Sequence, residues 1–320
     1  MAPMTDQLPN PIIIDTDPGQ DDAIAILFAL AAHKQLEVLG ITAVAGNVPV
    51  NFTSRNARII LDWANRSDVP VFAGCPRPLV RQLITAEQIH GKEGLDGVQL
   101  HKPRTELAKG HAVDFLVETL CQAPGRSITL CCIGPLTNLA CALIQSPEIA
   151  RQIKEIVIMG GACFNRGNVT PVAEFNIHAD PHAAAVVFSS GLPLTVLPLD
   201  VTHKVLTNKA RIEIFRRLGN RAGRLISDIL AVHAGSKFDR PGFEGTPLHD
   251  PCTIGYLLEP SLFAGRRVNV SIETGSELTL GETVVDWNGV TARDANAFWI
   301  TEVDSERFYS LLAQTVAALP

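Results

Sequence analysis

The sequence predicts an α/β fold, an open and mostly parallel sheet flanked by helices, with an antiparallel addition near its C-terminal end. Three observations carry this expectation. Short β-branched runs alternate with longer Ala/Leu-rich ones through most of the chain, the signature of βαβ units. Four carboxylates gather in DTDPGQDD (15–22), at the end of the first such run, where open α/β sheets place their ligands. The closing stretches VNVSIET, LTLGETVVD and ANAFWITEVD have antiparallel character.

Taken in order, PIIID (11–15) reads as a strand and 22–33 as a helix apolar on most faces, hence buried on the sheet. LGITAVAG (39–46) is the next strand, 54–64 a helix, and VPVFAG (69–74) a third strand. The segment 75–106 has little periodicity and several glycines. It reads as a long loop with one short helix, and so long a stretch in a compact domain points to function. A helix at 107–121, the strand SITLCCIG (127–134), a helix at 136–143 and the strand IKEIVIMGG (153–161) follow. Residues 180–189 are helical with Pro181 in the first turn, and LTVLPLD (194–200) is a strand. Two polar helical stretches, 208–218 and 222–238, lead through a Gly/Pro-rich loop to His249 and Asp250; a last helix starts at 305. No repeat, low-complexity tract or linker stands out. One domain over 1–320 is therefore expected, with the helical segment at about 205–248 as a peripheral excursion.

Of the 320 residues 46% are hydrophobic, enough for a sizeable core. The net charge of -6, from 33 acidic and 27 basic side chains without a basic stripe, argues against a nucleic-acid partner. An uncharged small molecule remains compatible. The longest apolar run, 23–32, is too short to cross a membrane, and MAPMTDQLPN has no secretory pattern. Seven scattered cysteines lack metal or disulfide spacing, so free thiols and a cytoplasmic location are expected.

The acidic cluster is the sharpest local feature. In a strand Asp15 and Asp17 point to one side, Pro18-Gly19 turns the chain, and Asp21 and Asp22 open the helix. Helix capping accounts for one of the latter pair easily and for both with strain. It does not account for Asp15 and Asp17. Carboxylates so close repel unless a cation or shared protons compensate, and hard oxygen donors suit Ca²⁺ or Mg²⁺.

Other strand ends carry polar groups. Asn47 is either a turn residue or a hydroxyl binder. In GNVTPVAEFN (167–176), Asn168, Glu174 and Asn176 offer the donor and acceptor mix that grips a polyhydroxylated ligand. Alone, His249-Asp250 would read as a core histidine and a helix cap. Beside the first cluster, Asp250 becomes a distant metal ligand and His249 an acid or base. His90, in the glycine-rich HGKEGLDG, is a similar candidate on a mobile or tightly turning loop.

Together these segments resemble the inosine-uridine preferring nucleoside hydrolase family. The likeness runs from IIIDTDPGQDDAIAI through AGN, HGKEGLDG, IGPLTNLA, IVIMGG, GNVTPVAEFN and LHDP to ETVVD and ITEVD. The resemblance implies that family's fold, with a Rossmann-like core, and hydrolysis of the ribose–nucleobase N-glycosidic bond by a water on one bound Ca²⁺. It implies Asp17, Asp22, Asp250 and the Ile133 carbonyl as calcium ligands, with Asp17 also the general base and Asp15 supporting the ligands from behind. Asp21, Asn47 and Asn176 would hold the ribose 2′- and 3′-hydroxyls, and Asn168 and Glu174 the 5′-hydroxyl. His249 or His90 would assist the departing base. A small ribonucleoside is the implied partner, and a homo-oligomer, dimer or tetramer, the implied assembly.

The segment before His249 lacks the tyrosine that purine-using relatives supply, leaving His233, Lys237, Phe238 and Phe243 as local replacements. Met159 is a packing residue first and a base contact second. DVTHK and TPLHDPCTI look closest to bacterial pyrimidine-specific members, so uridine and cytidine are the expected substrates. A broad or purine-preferring hydrolase is the alternative, and a non-catalytic nucleoside or ribose binder a second. A phosphatase is disfavoured because no Lys or Arg accompanies the acidic motifs.

Overall fold

The structure is a computed structural model that describes residues 8–235 and 244–320. β1 (Asn10–Thr16) turns into α1 (Gln20–Ala31), and β2 (Leu36–Ala43) leads to α2 (Val50–Ala64). After β3 (Val71–Ala73), the long connection contains one short helix, α3 (Glu87–His90). Then come α4 (Ala112–Gln122), β4 (Ile128–Cys132), α5 (Thr137–Gln145) and β5 (Ile153–Met159). Next are α6 (Phe175–Ala179), α7 (Pro181–Phe188), β6 (Leu194–Leu197) and α8 (Leu199–Thr202). β7 (Leu206–Thr207) and β8 (Thr246–Pro247) pair around α9 (Lys209–Arg217) and α10 (Arg221–Ala234). The chain closes with α11 (Pro251–Leu258), β9 (Phe263–Ile272), β10 (Thr283–Asp286), β11 (Ala297–Val303) and α12 (Ser305–Val316).

Nine strands form one sheet in the order β10-β9-β11-β6-β5-β4-β1-β2-β3. β1 to β6 pair in parallel and β11 joins β6 in parallel; only β9 and β10 run antiparallel to their neighbours. The expected fold class is thus observed, with the antiparallel addition extending the main sheet. The chain works outward from β1 in one direction, then returns to β4 on its other side. The crevice beyond the carboxyl ends of β1 and β4 is therefore the topological switch point.

Both faces of the sheet are covered. Ile12 and Ile14 of β1 pack in the layer of α1, α10 and α12, whereas Ile13 packs with Leu116 of α4 and Leu139 of α5. That alternation makes β1 a continuous apolar run. α1 lies deepest: every residue except Asp21 is buried. Of the helical 205–248 segment, α9 and α10 direct Phe215, Ile226, Ile229 and Leu230 into the same layer as α1.

Three helix starts differ from expectation. α1 begins at Gln20, not 22, because the Asp22 carboxylate reaches back to accept from the Gly19 N–H (2.9 Å) and closes the first turn early. α2 begins at Val50, directly after Pro49. α4 begins at Ala112, not 107, because Gly110 stands at φ +98° and the His111 ring accepts from the Val113 N–H. All seven cysteines are free. No helix among the described residues is long and apolar enough to cross a membrane.

If α10 belongs to the core, Ile226→Ala should cost about 2–5 kcal/mol of unfolding free energy. Urea titration checks this. A loss within about 0.5 kcal/mol is what a solvent-facing excursion would give.

Candidate active site

β1 ends at Thr16, so Asp17 belongs to the turn and not to the strand. The two aspartates are accordingly separated, contrary to the shared side a longer strand would impose. Asp15 Oδ1 accepts from Thr42 Oγ1 (2.6 Å) and Asn138 Nδ2 (2.8 Å), behind the site. Asp17 Oδ2 accepts from the Asn47 N–H (2.7 Å). Thr16 Oγ1 donates to Asp22 Oδ1 (2.6 Å), and Asn47 Nδ2 donates to Asp22 Oδ2 (3.2 Å). The N-terminal turn of α1 thus presents Asp21 and Asp22 beside Asp17, and α11 brings Asp250 from the far end of the chain. Asp21, Asp22 and Asp250 each place a carboxylate oxygen within 4.8 Å of the others. Asp17 is not in that trio; it stands alongside.

These carboxylates lack compensating charge. Burial, then the neighbouring Asp22 charge, holds Asp17 well above the usual carboxylate range. Asp22 is raised by burial and by Asp21, and Asp250 by burial and by Asp21, Asp22 and Asp17. Burial pushes Asp15 up to about 7 against the Thr42 and Asn138 hydrogen bonds. Asp21 is the exception. Burial works to raise it, but His90, His249 and His233 together draw it below the ordinary value. Asp17 Oδ1 and Asp15 Oδ2 are buried with no hydrogen-bond partner among the described residues. Orphaned anionic oxygens in an all-oxygen donor set fit a hard divalent cation.

Above this floor lies a cavity of about 240 Å³. Asp21, Asn47, His90, Ile133, Met159, Asn168, Glu174, Asn176, His233, His249 and Asp250 line it, together with Ile89, Val169 and Phe175. Its walls come from eight separate stretches of sequence. Asn176 Nδ2 donates to the carbonyls of Ile133 (3.0 Å) and Met159 (3.2 Å), tying α6 to the ends of β4 and β5. Glu174 accepts from the N–H groups of Asn176, Ile177 and Gly161, so it caps α6 as well as lining the cavity. Burial raises Glu174 to about 7, opposed by those same donors. Asn168 Oδ1 accepts from the Phe175 N–H (2.9 Å). His249 Nδ1 meets Thr202 Oγ1 at 2.8 Å. Burial lowers His249 to about 4 and also lowers His90, which favours the neutral form of both rings.

The sequence thus pointed to every polar lining residue except Gln88, but not to Ala86, Ile89 or Val169, nor to the supports behind them. Thr202 and Asn138 lie within DVTHK and IGPLTNLA, stretches already singled out, and a polar side chain next to an apolar strand end was the available signal. Asp200 was also missed as a support: its carboxylate accepts from the N–H groups of Cys163, Phe164 and Asn165 and from Trp299 Nε1, anchoring the loop that carries Asn168 and Glu174. Lys237, Phe238 and Phe243 lie outside the described residues.

The open sheet thus places an acidic floor at its switch point, with an amide-rich cavity above it. The chain belongs to the family described as inosine-uridine preferring nucleoside hydrolase, whose model matches residues 12–310. It is 45% identical over 305 residues to the pyrimidine-specific ribonucleoside hydrolase RihA of Salmonella arizonae, covering 95% of this chain and 97% of that one. An uncharacterized protein of Schizosaccharomyces pombe is 48% identical over 309 residues, with 97% and 99% covered. Among solved structures, a purine-preferring ribonucleoside hydrolase from Gardnerella vaginalis superposes with a TM-score of 0.88 at 30% identity, covering 96% and 98%. The protein is accordingly a ribonucleoside hydrolase.

Asp17 is wedged between two glycines. A Cβ on Gly134 would stand 2.6 Å from Asp17 Oδ1, and one on Gly46 would collide with Oδ2. Gly46→Ala should therefore displace Asp17 and lower ribonucleoside kcat/KM at least about tenfold, equivalent to about 1.4 kcal/mol. Steady-state ribose release checks this; unchanged turnover would show that Asp17 need not hold its place.

Proposed function

We propose that the protein hydrolyses pyrimidine ribonucleosides, uridine and cytidine, to ribose and free base, with Ca²⁺ held by Asp17, Asp22, Asp250 and the Ile133 carbonyl. The observation that carries the reading is the buried acidic floor, with its orphaned Asp17 Oδ1, directly beside a cavity lined by amides and carboxylates. When bound, such an ion makes water nucleophilic at neutral pH and orients it.

The remaining steps belong to the chain's own residues. Asp17 Oδ1, with no donor of its own, takes the proton as the water oxygen attacks the anomeric carbon. The C–N bond breaks with its electron pair passing to the base nitrogen. The anionic floor favours the positive charge that develops on the sugar. Asp21, Asn47 and Asn176 hold the 2′- and 3′-hydroxyls, while Asn168 and Glu174 hold the 5′-hydroxyl. A substrate lacking a hydroxyl leaves those buried groups unpaired, which selects ribose over deoxyribose. Asp15 supports the floor from behind through Thr42 and Asn138. His90 and His249 stabilise the departing base as hydrogen-bond donors, and His233 and Met159 lie against it.

Pyrimidine preference is supported by the RihA relative. The purine-preferring neighbour in structure supports the alternative, a preference for inosine. A single-domain, oligomeric and cytoplasmic enzyme belongs to the same reading.

Side-by-side kcat/KM for uridine, cytidine and inosine with Ca²⁺ present should favour the pyrimidines. A larger value for inosine would overturn the preference, and no hydrolysis of any of the three would overturn the proposed substrates. Asp17→Asn should reduce kcat for the preferred substrate by about 10²–10⁴-fold.

A further inference from the structure

α8 is a single turn, yet it serves two walls of the cavity. Its Asp200 anchors the 163–165 loop, and Thr202, two residues on, is fully buried and meets His249 Nδ1 at 2.8 Å. Backbone on both sides of His249 is already fixed. Leu206 and Thr207 of β7 pair with Pro247 and Thr246 of β8, and the Leu248 N–H donates to the Val205 carbonyl (2.9 Å). The chain entering His249 is thereby strapped to the chain leaving α8. Beyond it, the Cys252 N–H donates to the His249 carbonyl (3.0 Å) as α11 opens. Only the two side-chain torsions of His249 are left to be set. Two neighbours on α8 set them: the His203 ring stands 5.7 Å away, tilted by 56°, and Thr202 holds one ring nitrogen.

Hydrogen-bond chemistry gives that contact a direction. The Thr202 hydroxyl has His249 Nδ1 as its one hydrogen-bond partner among the described residues. If Nδ1 bore a proton, it would donate to Oγ1 and leave the hydroxyl hydrogen buried without an acceptor. The favoured arrangement therefore has the hydroxyl donating to a bare Nδ1. An imidazole that accepts there is neutral and carries its proton on Nε2. With Nδ1 turned to α8, Nε2 is the nitrogen that His249 leaves to the cavity it lines.

We propose that Thr202 is a positioning residue for departure of the base: its hydroxyl locks His249 as the Nε2-protonated tautomer and fixes the rotation of its ring. A donor is then in place before the base nitrogen receives the electron pair of the breaking C–N bond, and no tautomer exchange has to precede the step. The inference rests on the reading that His249 assists the departing base. It adds a residue that is not part of the cavity lining.

The test compares wild type, Thr202→Val and Thr202→Ser with Ca²⁺ present. Val keeps the branched shape without the hydroxyl, and Ser keeps the hydroxyl. The first readout is kcat for the preferred nucleoside against kcat for p-nitrophenyl β-D-riboside, whose leaving group is stable as an anion and needs no donor. Thr202→Val should lose about tenfold in kcat on the nucleoside and less than about twofold on the p-nitrophenyl riboside, with KM little changed. Thr202→Ser should recover most of the loss. An equal loss on both substrates marks a merely structural role and overturns the proposal, as does no loss at all. The second readout is ¹⁵N NMR of histidine-labelled wild type, with His249 assigned by loss of its signals in His249→Asn. A proton on Nε2 alone is expected, and a proton on Nδ1 overturns the proposal even if Thr202→Val fails to fold. If wild type releases ribose from none of uridine, cytidine and inosine, the proposed substrates fail, and the His249 spectrum still decides the role of Thr202.

Discussion

The constraint on which the rest of the structure depends is electrostatic: five carboxylates, Asp15, Asp17, Asp21, Asp22 and Asp250, converge at the switch point of a sheet buried on both faces. Burial keeps water from screening all of them but Asp21, and no lysine or arginine among the described residues forms an ion pair with any of the five. What the fold supplies is neutral donors: Thr16, Thr42 and Asn138 side chains, the N–H groups of Gly19 and Asn47, and the Asn47 amide. These lower the cost of burial without cancelling the charge. The remaining excess is what makes the floor suited to a dication and to a cationic transition state. It also explains local sequence requirements that look arbitrary in isolation. Gly46 and Gly134 must be bare because any Cβ would strike Asp17.

The cavity above the floor is built from segments distant in sequence, and each is tied to the sheet by a polar group with a second task. Glu174 lines the cavity while capping α6, and Asn176 lines it while bonding the carbonyls at the ends of β4 and β5. Asp200 never reaches the cavity, yet four donors from the 163–165 loop and Trp299 converge on its carboxylate. The side proposed to hold ribose is thereby fixed by strand ends and short helices. The side proposed to face the base depends on α10, α3 and α8, whose Thr202 bonds His249. Division into a fixed sugar side and a separately built base side is consistent with relatives of one fold that differ in the base they prefer.

Much of this was legible in the sequence because the signals were local. The apolar run of β1, the acids that follow it and the amides of 168–176 each state their chemistry within a few residues, and open α/β topology says where strand ends converge. The misplacements came where one side chain overrode a propensity. Asp22 reaching back to Gly19 started α1 early, and Gly110 delayed α4. The supports were hidden for a different reason. Thr202, Asn138 and Asp200 act on partners 47, 123 and 99 positions away in sequence, a relation that no local pattern encodes.

The central claim is that the acidic floor is a single divalent-cation site that faces the ribose cavity. Anomalous diffraction from crystals grown with Ca²⁺ tests it most directly. One strong peak should stand enclosed by Asp17, Asp22, Asp250 and the Ile133 carbonyl, open on the cavity side. A floor without a peak at saturating Ca²⁺, or a peak held only by surface carboxylates elsewhere, would contradict it.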